Sequence, residues 1–89
     1  MPNRNVTHMS LKLKIVSPEK IEYLGFADKV LVPGTSGKFE ILVNHAPIIS
    51  SLEEGDVEFS YEGEVKKIHI HGGFVEVQKN EVSLCVEMQ

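Results

Sequence analysis

Apolar and polar residues alternate with a period of two along most of this sequence, which is typical of strands that bury one face. The clearest run is LKLKIV at residues 11–16. Because proline donates no hydrogen bond to a strand ladder, we expect Pro18 to end this strand. Further strands are predicted over residues 20–26, 29–32 and 39–43. The composition of residues 33–37, PGTSG, predicts a turn or loop between the last two.

Two hairpins can be predicted together with their register. Their two-residue turns are Glu62-Gly63 and Lys79-Asn80, and Asn80 tolerates the positive φ that such turns need. Paired apolar residues and opposite charges across two strands favour one register, because a slip of one residue would send each apolar set to the wrong face. The predicted pairs are Val57 with Ile68, Glu58 with Lys67, Val77 with Val82, and Val75 with Leu84.

Many short strands separated by turns imply an antiparallel sandwich or barrel. The segment from Ala46 to Leu52 is ambiguous, because some of its apolar residues lie at helical spacing, and we prefer a strand or irregular turn there. With 89 residues, the chain is long enough for one domain. Because it has no Trp and few other aromatic residues, the core of that domain must be mainly Val, Ile and Leu. We assign residues 11–89 to this domain and residues 1–10 to a flexible N-terminal leader.

The charge and the cysteine content narrow the classes of function. A formal net charge of −4 disfavours nucleic-acid binding, which needs a cationic surface. Cys85 is the single cysteine, so there is no sign of a secreted scaffold held by disulfides, and a reducing cytoplasm fits better. No apolar run approaches the about 20 residues that a membrane-spanning helix needs, so we expect no direct insertion into the membrane.

Two groups of residues have the chemistry of metal ligands. His69 and His71 alternate on one predicted strand, so they share a face and could chelate zinc, although the sequence supplies no obvious further ligand. We interpret them as polar residues on a partly solvated face, with a metal site as the alternative. Glu53-Glu54 followed by Gly55-Asp56 is interpreted as a solvated turn, with weak calcium binding as the alternative.

Neither catalysis nor a cofactor is expected. Residues 34–38, GTSGK, superficially resemble a phosphate-binding loop, but they lack the four-residue spacer and the Ser or Thr after the lysine. His45 is a lone histidine without a positioned nucleophile, and Ser50 and Ser51 lie too near it in sequence to define a triad.

Several short motifs follow one another in a particular order. They are LKLKIVSPEK at 11–20, VPGTSG at 32–37, NHAPI at 44–48 and HGGFVEV at 71–77. Their order and spacing resemble the epsilon subunit of F-type ATP synthases, which is called delta in mitochondria. The resemblance covers about residues 10–87 and implies an all-β sandwich of two antiparallel sheets.

In most members of that family two C-terminal helices follow the sandwich and carry an inhibitory switch and, in some members, ATP binding. This sequence stops at Gln89, just after the last predicted strand. We therefore expect no C-terminal helical hairpin, no inhibitory function and no tightly bound nucleotide.

The resemblance implies a non-catalytic rotor subunit of the central stalk. It would bind the gamma subunit and the c-ring, and so couple ion-driven rotation to ATP synthesis at the cytoplasmic face of the cell membrane. The matching contact residues for the c-ring are Thr35, Ser36, Gly37, Lys38 and Phe39, and those for gamma are His45 and the segment that ends at Ser50.

This sequence departs from the family pattern at two of these places. Relatives often have an acidic residue where this chain has Lys38, so the ring would need a complementary acid. Relatives also often have Pro-Gly before the histidine, where this chain has Val43-Asn44, and Asn can adopt the same left-handed backbone.

Turn-forming residues are predicted to shape the connections between strands: Gly34, Gly37, Pro47, Gly63, Gly72 and Gly73. Two rival functions stay open. One is a generic β-sandwich adaptor with unrelated partners. The other is a metal-binding protein that uses His69 and His71. In any docking role, an apolar residue predicted on an outer face, such as Val65, would have a use.

Overall fold

All regular secondary structure in residues 9–88, the part of the chain that the computed structural model describes, is β-strand. The strands of this part are β1 (Leu11–Val16), β2 (Ile21–Ala27), β3 (Lys29–Gly34), β4 (Gly37–Leu42), β5 (Ile48–Leu52), β6 (Gly55–Tyr61), β7 (Glu64–Ile70), β8 (Gly72–Gln78) and β9 (Glu81–Glu87). This part of the chain contains no helix with the length and hydropathy needed to cross a bilayer. The predicted leader falls mostly on residues 1–8, outside the described residues, and stays a prediction.

The strands form a sandwich of two layers that are joined at one edge. The first layer has the order β2-β1-β9-β8-β5, and the second contains β3, β6 and β7 in that order, with β4 also paired to β3. Gly34 of β3 pairs with Leu52 of β5 and so links the layers. At the other edge β2 packs back against β6, where the ring centroids of Tyr23 and Phe59 lie 4.5 Å apart. The predicted all-β sandwich is confirmed.

Both predicted hairpins are present with the predicted registers. In the β6–β7 hairpin Val57 pairs with Ile68 and Glu58 with Lys67. In the β8–β9 hairpin Val77 pairs with Val82 and Val75 with Leu84. The apolar members of the second hairpin are buried, which explains why the register is specific: a slip would expose all of them.

The hairpin turns have the backbone that two-residue connections require. φ is 52° at Glu62 and 84° at Gly63, and it is 53° at Lys79 and 62° at Asn80. Positive φ at both central residues matches the right-handed twist of the flanking strands. The sequence indicated this for Asn80, but it gave no such signal for Lys79.

The predicted turn at residues 33–37 is shorter in the structure, and the prediction is wrong for Pro33, Gly34 and Gly37. β3 continues through Pro33 and Gly34, and β4 begins at Gly37, so the turn is Thr35-Ser36. Proline has no N–H to donate, but its carbonyl still accepts a hydrogen bond from the backbone N–H of Glu53 (2.8 Å), so it is tolerated in this strand.

Strand pairing between β1 and β9 is parallel, whereas the other pairs among residues 9–88 are antiparallel. This departs in one place from the purely antiparallel layers that the sequence predicted. The pairing sets Leu13 beside Val82 and Ile15 beside Leu84, so β1 lies between β2 and β9 with its apolar face inward.

The core lies between the layers and is built mainly from Val, Leu and Ile, as predicted. Its buried members are Leu11, Leu13, Ile15, Ala27, Val30, Val32, Ile41, Leu52, Val57, Phe59, Ile70, Val75, Val77, Val82, Leu84 and Val86. Within residues 9–88 no polar or charged side chain is buried. The polar chemistry of this part of the chain is therefore on its surface.

Candidate interaction surfaces

The predicted c-ring contact forms the turn between β3 and β4 and the first residues of β4. Thr35 and Ser36 make the turn, and all of residues 35–38 are exposed. The backbone N–H of Thr35 donates to the carbonyl of Ser51 (3.1 Å), which fixes the turn to β5. Phe39 differs, because it is half-buried and packs against the core. The accessible part of this segment is residues 35–38.

His45, the first predicted gamma contact, lies in the irregular segment between β4 and β5. Its backbone N–H donates to the carbonyl of Leu42 (3.1 Å), and its Nδ1 lies 2.7 Å from the carbonyl oxygen of Ala46. Its ring centroid is 6.4 Å from that of Phe39. The two predicted contact segments therefore meet through this pair of rings.

Asn44 supports the loop that carries His45. Its φ is 69°, so the predicted left-handed backbone is confirmed. Its backbone N–H donates to Oδ1 of Asn80 (2.6 Å), and Nδ2 of Asn80 donates back to Oδ1 of Asn44 (3.4 Å). The loop after β4 is therefore tied to the β8–β9 turn.

Ser50, the other predicted gamma contact, lies on the inward row of β5. It pairs with the buried Val75 and is itself only half-buried, and its hydroxyl donates to the carbonyl of Ser51 (3.2 Å). The neighbouring Ile49 projects outward and is 73% exposed. On this strand Ile49 therefore offers a partner more accessible apolar surface than Ser50 does.

Exposed apolar side chains are concentrated on the outer face of the first layer. Strand pairing places Phe74, Cys85, Val16 and Ile21 in one row across β8, β9, β1 and β2. Phe74 and Ile21 are 46% and 55% exposed. The sequence alone does not reveal this row, because the row depends on the parallel β1–β9 pairing, which alternation does not specify.

A second row on the same face has apolar ends and a polar middle. It runs from Ile49 through Glu76, Ser83 and Lys14 to Leu24. Leu24 is 69% exposed, close to the value for Ile49. The two apolar ends lie on opposite sides of the layer, so a partner that covered this row would bury both.

The outer face of the second layer carries more paired charge. Nζ of Lys29 lies 3.6 Å from Oε2 of Glu40, and Lys67 pairs with Glu58 across β6 and β7. Val65 is 56% exposed there, as the sequence predicted for an outer position. The two broad faces of the sandwich therefore differ in character.

His69 and His71 lie side by side where β7 ends, with ring centroids 5.8 Å apart and ring planes at 86°. The structure adds two carboxylates to this pair. Nδ1 of His69 is 2.9 Å from Oδ1 of Asp56, and Nε2 is 3.3 Å from Oε2 of Glu54. Two hydrogen bonds raise the pKa of His69 above its usual value. The bond to Asp56 has the larger effect and the bond to Glu54 the smaller one.

One of these carboxylates could have been found from the sequence. The predicted pairing of Val57 with Ile68 also sets Asp56 opposite His69, because the two strands are antiparallel, and the structure has this pair. Glu54 had no such signal, since it belongs to the turn before β6.

Residues 10–88 match the family described as "ATP synthase, Delta/Epsilon chain, beta-sandwich domain". The chain is 42% identical over 77 residues to the ATP synthase epsilon chain of Leptospira interrogans serogroup Icterohaemorrhagiae serovar copenhageni, covering 86% of this chain and 61% of the relative. It is 44% identical over 75 residues to the ATP synthase epsilon chain of Desulfitobacterium hafniense strain DCB-2, covering 84% and 57%. The chain thus spans about three fifths of the length of these curated relatives.

Two solved structures share the fold. A chain in the cryo-EM structure of the Euglena gracilis mitochondrial ATP synthase, OSCP/F1/c-ring, superposes with a TM-score of 0.82 at 18% identity, covering 97% of this chain and 58% of that one. A chain in the Tetrahymena thermophila mitochondrial ATP synthase, central stalk/c-ring, has a TM-score of 0.75 at 18% identity, covering 89% and 64%. The sandwich is therefore the same as that of chains in ATP synthase assemblies.

Proposed function

The chain belongs to the family of ATP synthase delta and epsilon chains, of which it carries the β-sandwich domain, and on this basis we propose that it is a non-catalytic subunit of the central stalk. It binds the gamma subunit and the c-ring of an F-type ATP synthase and transmits rotation of the ring to the stalk. It acts at the cytoplasmic face of the cell membrane as a peripheral part of that complex.

The observation that carries this proposal is the family match over residues 10–88, which includes all the strands of the described sandwich. The structural neighbour from Tetrahymena comes from an assembly described as central stalk and c-ring, which supports a place in the same kind of assembly here. The character of the surface agrees with a docking role, since Ile49 and Leu24 expose 73% and 69% of their area on one face. Burying apolar surface contributes about 25 cal/mol per Å², so such residues favour association.

For the c-ring contact we propose the exposed turn residues Thr35 and Ser36 together with Lys38. The hydrogen bond from Thr35 to the carbonyl of Ser51 holds this turn in place, which lowers the entropy lost when a partner binds. For gamma we propose the segment from His45 along β5, with Ile49 added as its most exposed apolar side chain.

Complex formation with the cognate gamma subunit tests the proposal. The full chain and gamma are co-expressed and analysed by size-exclusion chromatography, and we expect a single complex that is stable to dilution. Failure of the two proteins to associate, with each of them folded on its own, would exclude the stalk function.

Charge reversal tests the c-ring contact separately. We expect Lys38→Glu to weaken binding to the purified cognate c-ring several-fold at low salt, because the acidic residue expected on the ring would then face a like charge. The difference should shrink at physiological salt, since the screening length falls from about 30 Å at 0.01 M to about 8 Å at 0.15 M ionic strength. The Thr35-Ser36 turn lies near the start of β8, whereas Lys79 directly follows the end of that strand. Lys79→Glu is therefore the matched control and should bind like the unmodified chain. Equal affinity of both variants would remove Lys38 from the interface.

A further inference from the structure

We propose that Glu54, His69 and His71 form a binding site for a zinc ion, with Asp56 as the outer carboxylate that orients His69. The inference does not depend on the proposed function. It concerns a cluster that lies on the β5–β6 turn and at the end of β7, and it uses none of the proposed gamma or c-ring contact residues.

Strand geometry brings the two imidazoles together. Ile70 between them is fully buried, so His69 and His71 both project to the outer side of the sheet. Their ring centroids are 5.8 Å apart. Two histidines in this arrangement can supply two nitrogen ligands to one ion.

A carboxylate completes a set of three ligands. Oε2 of Glu54 lies 3.3 Å from Nε2 of His69, and candidate ligand atoms of Glu54, His69 and His71 all lie within 4.8 Å of one another. Ligands of a tetrahedral zinc ion with bonds of about 2.0–2.1 Å are about 3.3 Å apart, so small rotations of exposed side chains close the site. A water molecule would take the fourth position.

Asp56 sets the orientation of His69. Nδ1 of His69 lies 2.9 Å from Oδ1 of Asp56 and Nε2 lies 3.3 Å from Oε2 of Glu54. In the neutral ring with its proton on Nδ1, Nδ1 donates to Asp56 and the Nε2 lone pair is available to a metal ion. In the protonated ring a proton lies between Nε2 and Oε2 of Glu54, and a metal ion can replace that proton when the ring is neutral. A carboxylate bonded to the far nitrogen of a ligating histidine is also the usual support of a zinc site.

The donor set selects the class of metal. Two imidazole nitrogens and one carboxylate oxygen suit zinc and similar transition metals. Calcium and magnesium prefer oxygen ligands in larger number, and the acidic turn supplies too few of them alone. The structure therefore favours zinc over the calcium alternative for this turn.

Calorimetry of the full chain with zinc chloride tests the site. The protein is first treated with a chelator and is then titrated at neutral to slightly alkaline pH, where neutral imidazoles are available as ligands. We expect one zinc ion per chain and a rise in the thermal midpoint with zinc. Asp56→Asn should weaken binding by about 10- to 100-fold, the usual effect of removing an outer carboxylate.

Two double variants divide the histidines of the chain into matched pairs. H69A/H71A should lose zinc binding, whereas H8A/H45A should keep it. His8 lies outside the described residues and is paired with His45 here only as the remaining histidine of the chain. Since His69 and His71 are exposed, and the ion pairs of a protonated His69 are lost as the pH rises, H69A/H71A should change the thermal midpoint without zinc only slightly at slightly alkaline pH. If that variant is unstable, E54Q and H71N replace it, each with at least about a tenfold loss of affinity.

Cobalt(II) gives an independent signal, because a cobalt ion with few ligands, two of them nitrogen, produces visible absorption bands. Excess calcium should not abolish these bands. The proposal is overturned if the unmodified chain binds no zinc, if H69A/H71A retains binding, or if H8A/H45A loses it to the same extent.

Discussion

At the scale of single residues, Gly73 combines two constraints that can be separated by experiment. Its φ is 146°, and a Cβ at this position would collide with the carbonyl oxygen of Cys85 on the neighbouring strand β9. Gly63 also has positive φ, at 84°, but an added Cβ there would meet no atom within 4 Å. Gly73 therefore faces a collision as well as backbone strain, whereas Gly63 faces strain alone.

We expect Gly73→Ala to lower the free energy of unfolding by about 2–6 kcal/mol, since backbone strain costs about 1–3 kcal/mol and forced overpacking a similar amount. Gly63→Ala should cost only about 1 kcal/mol. Urea unfolding of both variants measures the difference. Equal losses would mean that β8 and β9 relax around the new methyl group without cost.

The histidine cluster shows what a sequence can and cannot indicate about a site. The position of Asp56 opposite His69 followed from a register that local pairing rules predict. The position of Glu54 depends on the turn before β6, which is held by the hydrogen bond from Glu53 N–H to the carbonyl of Pro33 (2.8 Å). That bond joins residues far apart in sequence, so no local pattern encodes it.

At the scale of elements, the hairpins were predictable and the assembly of the layers was not. Cross-strand charge and apolar pairs lie close together in sequence and fix β6–β7 and β8–β9. The β1–β9 pair joins the two ends of the described chain in parallel, and alternation alone does not reveal which strands become neighbours. The extension of β3 through Pro33 was also missed, because proline usually ends a strand.

A pair of leucines on the neighbouring strands β1 and β2 tests the layer that this parallel pairing creates. Leu13 on β1 is 1% exposed, while Leu24 on β2 is 69% exposed. We expect Leu13→Ala to lower the free energy of unfolding by about 2–5 kcal/mol, the usual cost of a cavity in a core. Leu24→Ala should change it by about 0.5 kcal/mol or less. Chemical denaturation measures both, and a comparable loss in the two variants would contradict the assigned inward face of β1.

At the scale of the whole molecule, the two broad faces of the sandwich differ in a way that indicates where a large partner docks. The first layer exposes Ile49 and Leu24 at the ends of one row, with Glu76, Ser83 and Lys14 between them. The second layer exposes Leu42 and Val65 among cross-strand charge pairs such as that of Lys29 with Glu40. Burying apolar area favours association, and the first layer also exposes Ile21, Phe26 and Phe74, so it is the better docking face.

We therefore expect the double variant L24S/I49S to bind the cognate gamma subunit at least about tenfold more weakly, a loss of about 1.4 kcal/mol. Both side chains are exposed, so its own thermal midpoint should change little. Binding a partner at about 100 times its Kd stabilises a protein by about 2.7 kcal/mol, and the rise in thermal midpoint with gamma should therefore be smaller for this variant. The matched control is L42S/V65S, which removes similar apolar area from the second layer and should keep the full rise. A smaller rise in the control than in L24S/I49S would move the gamma interface to the second layer.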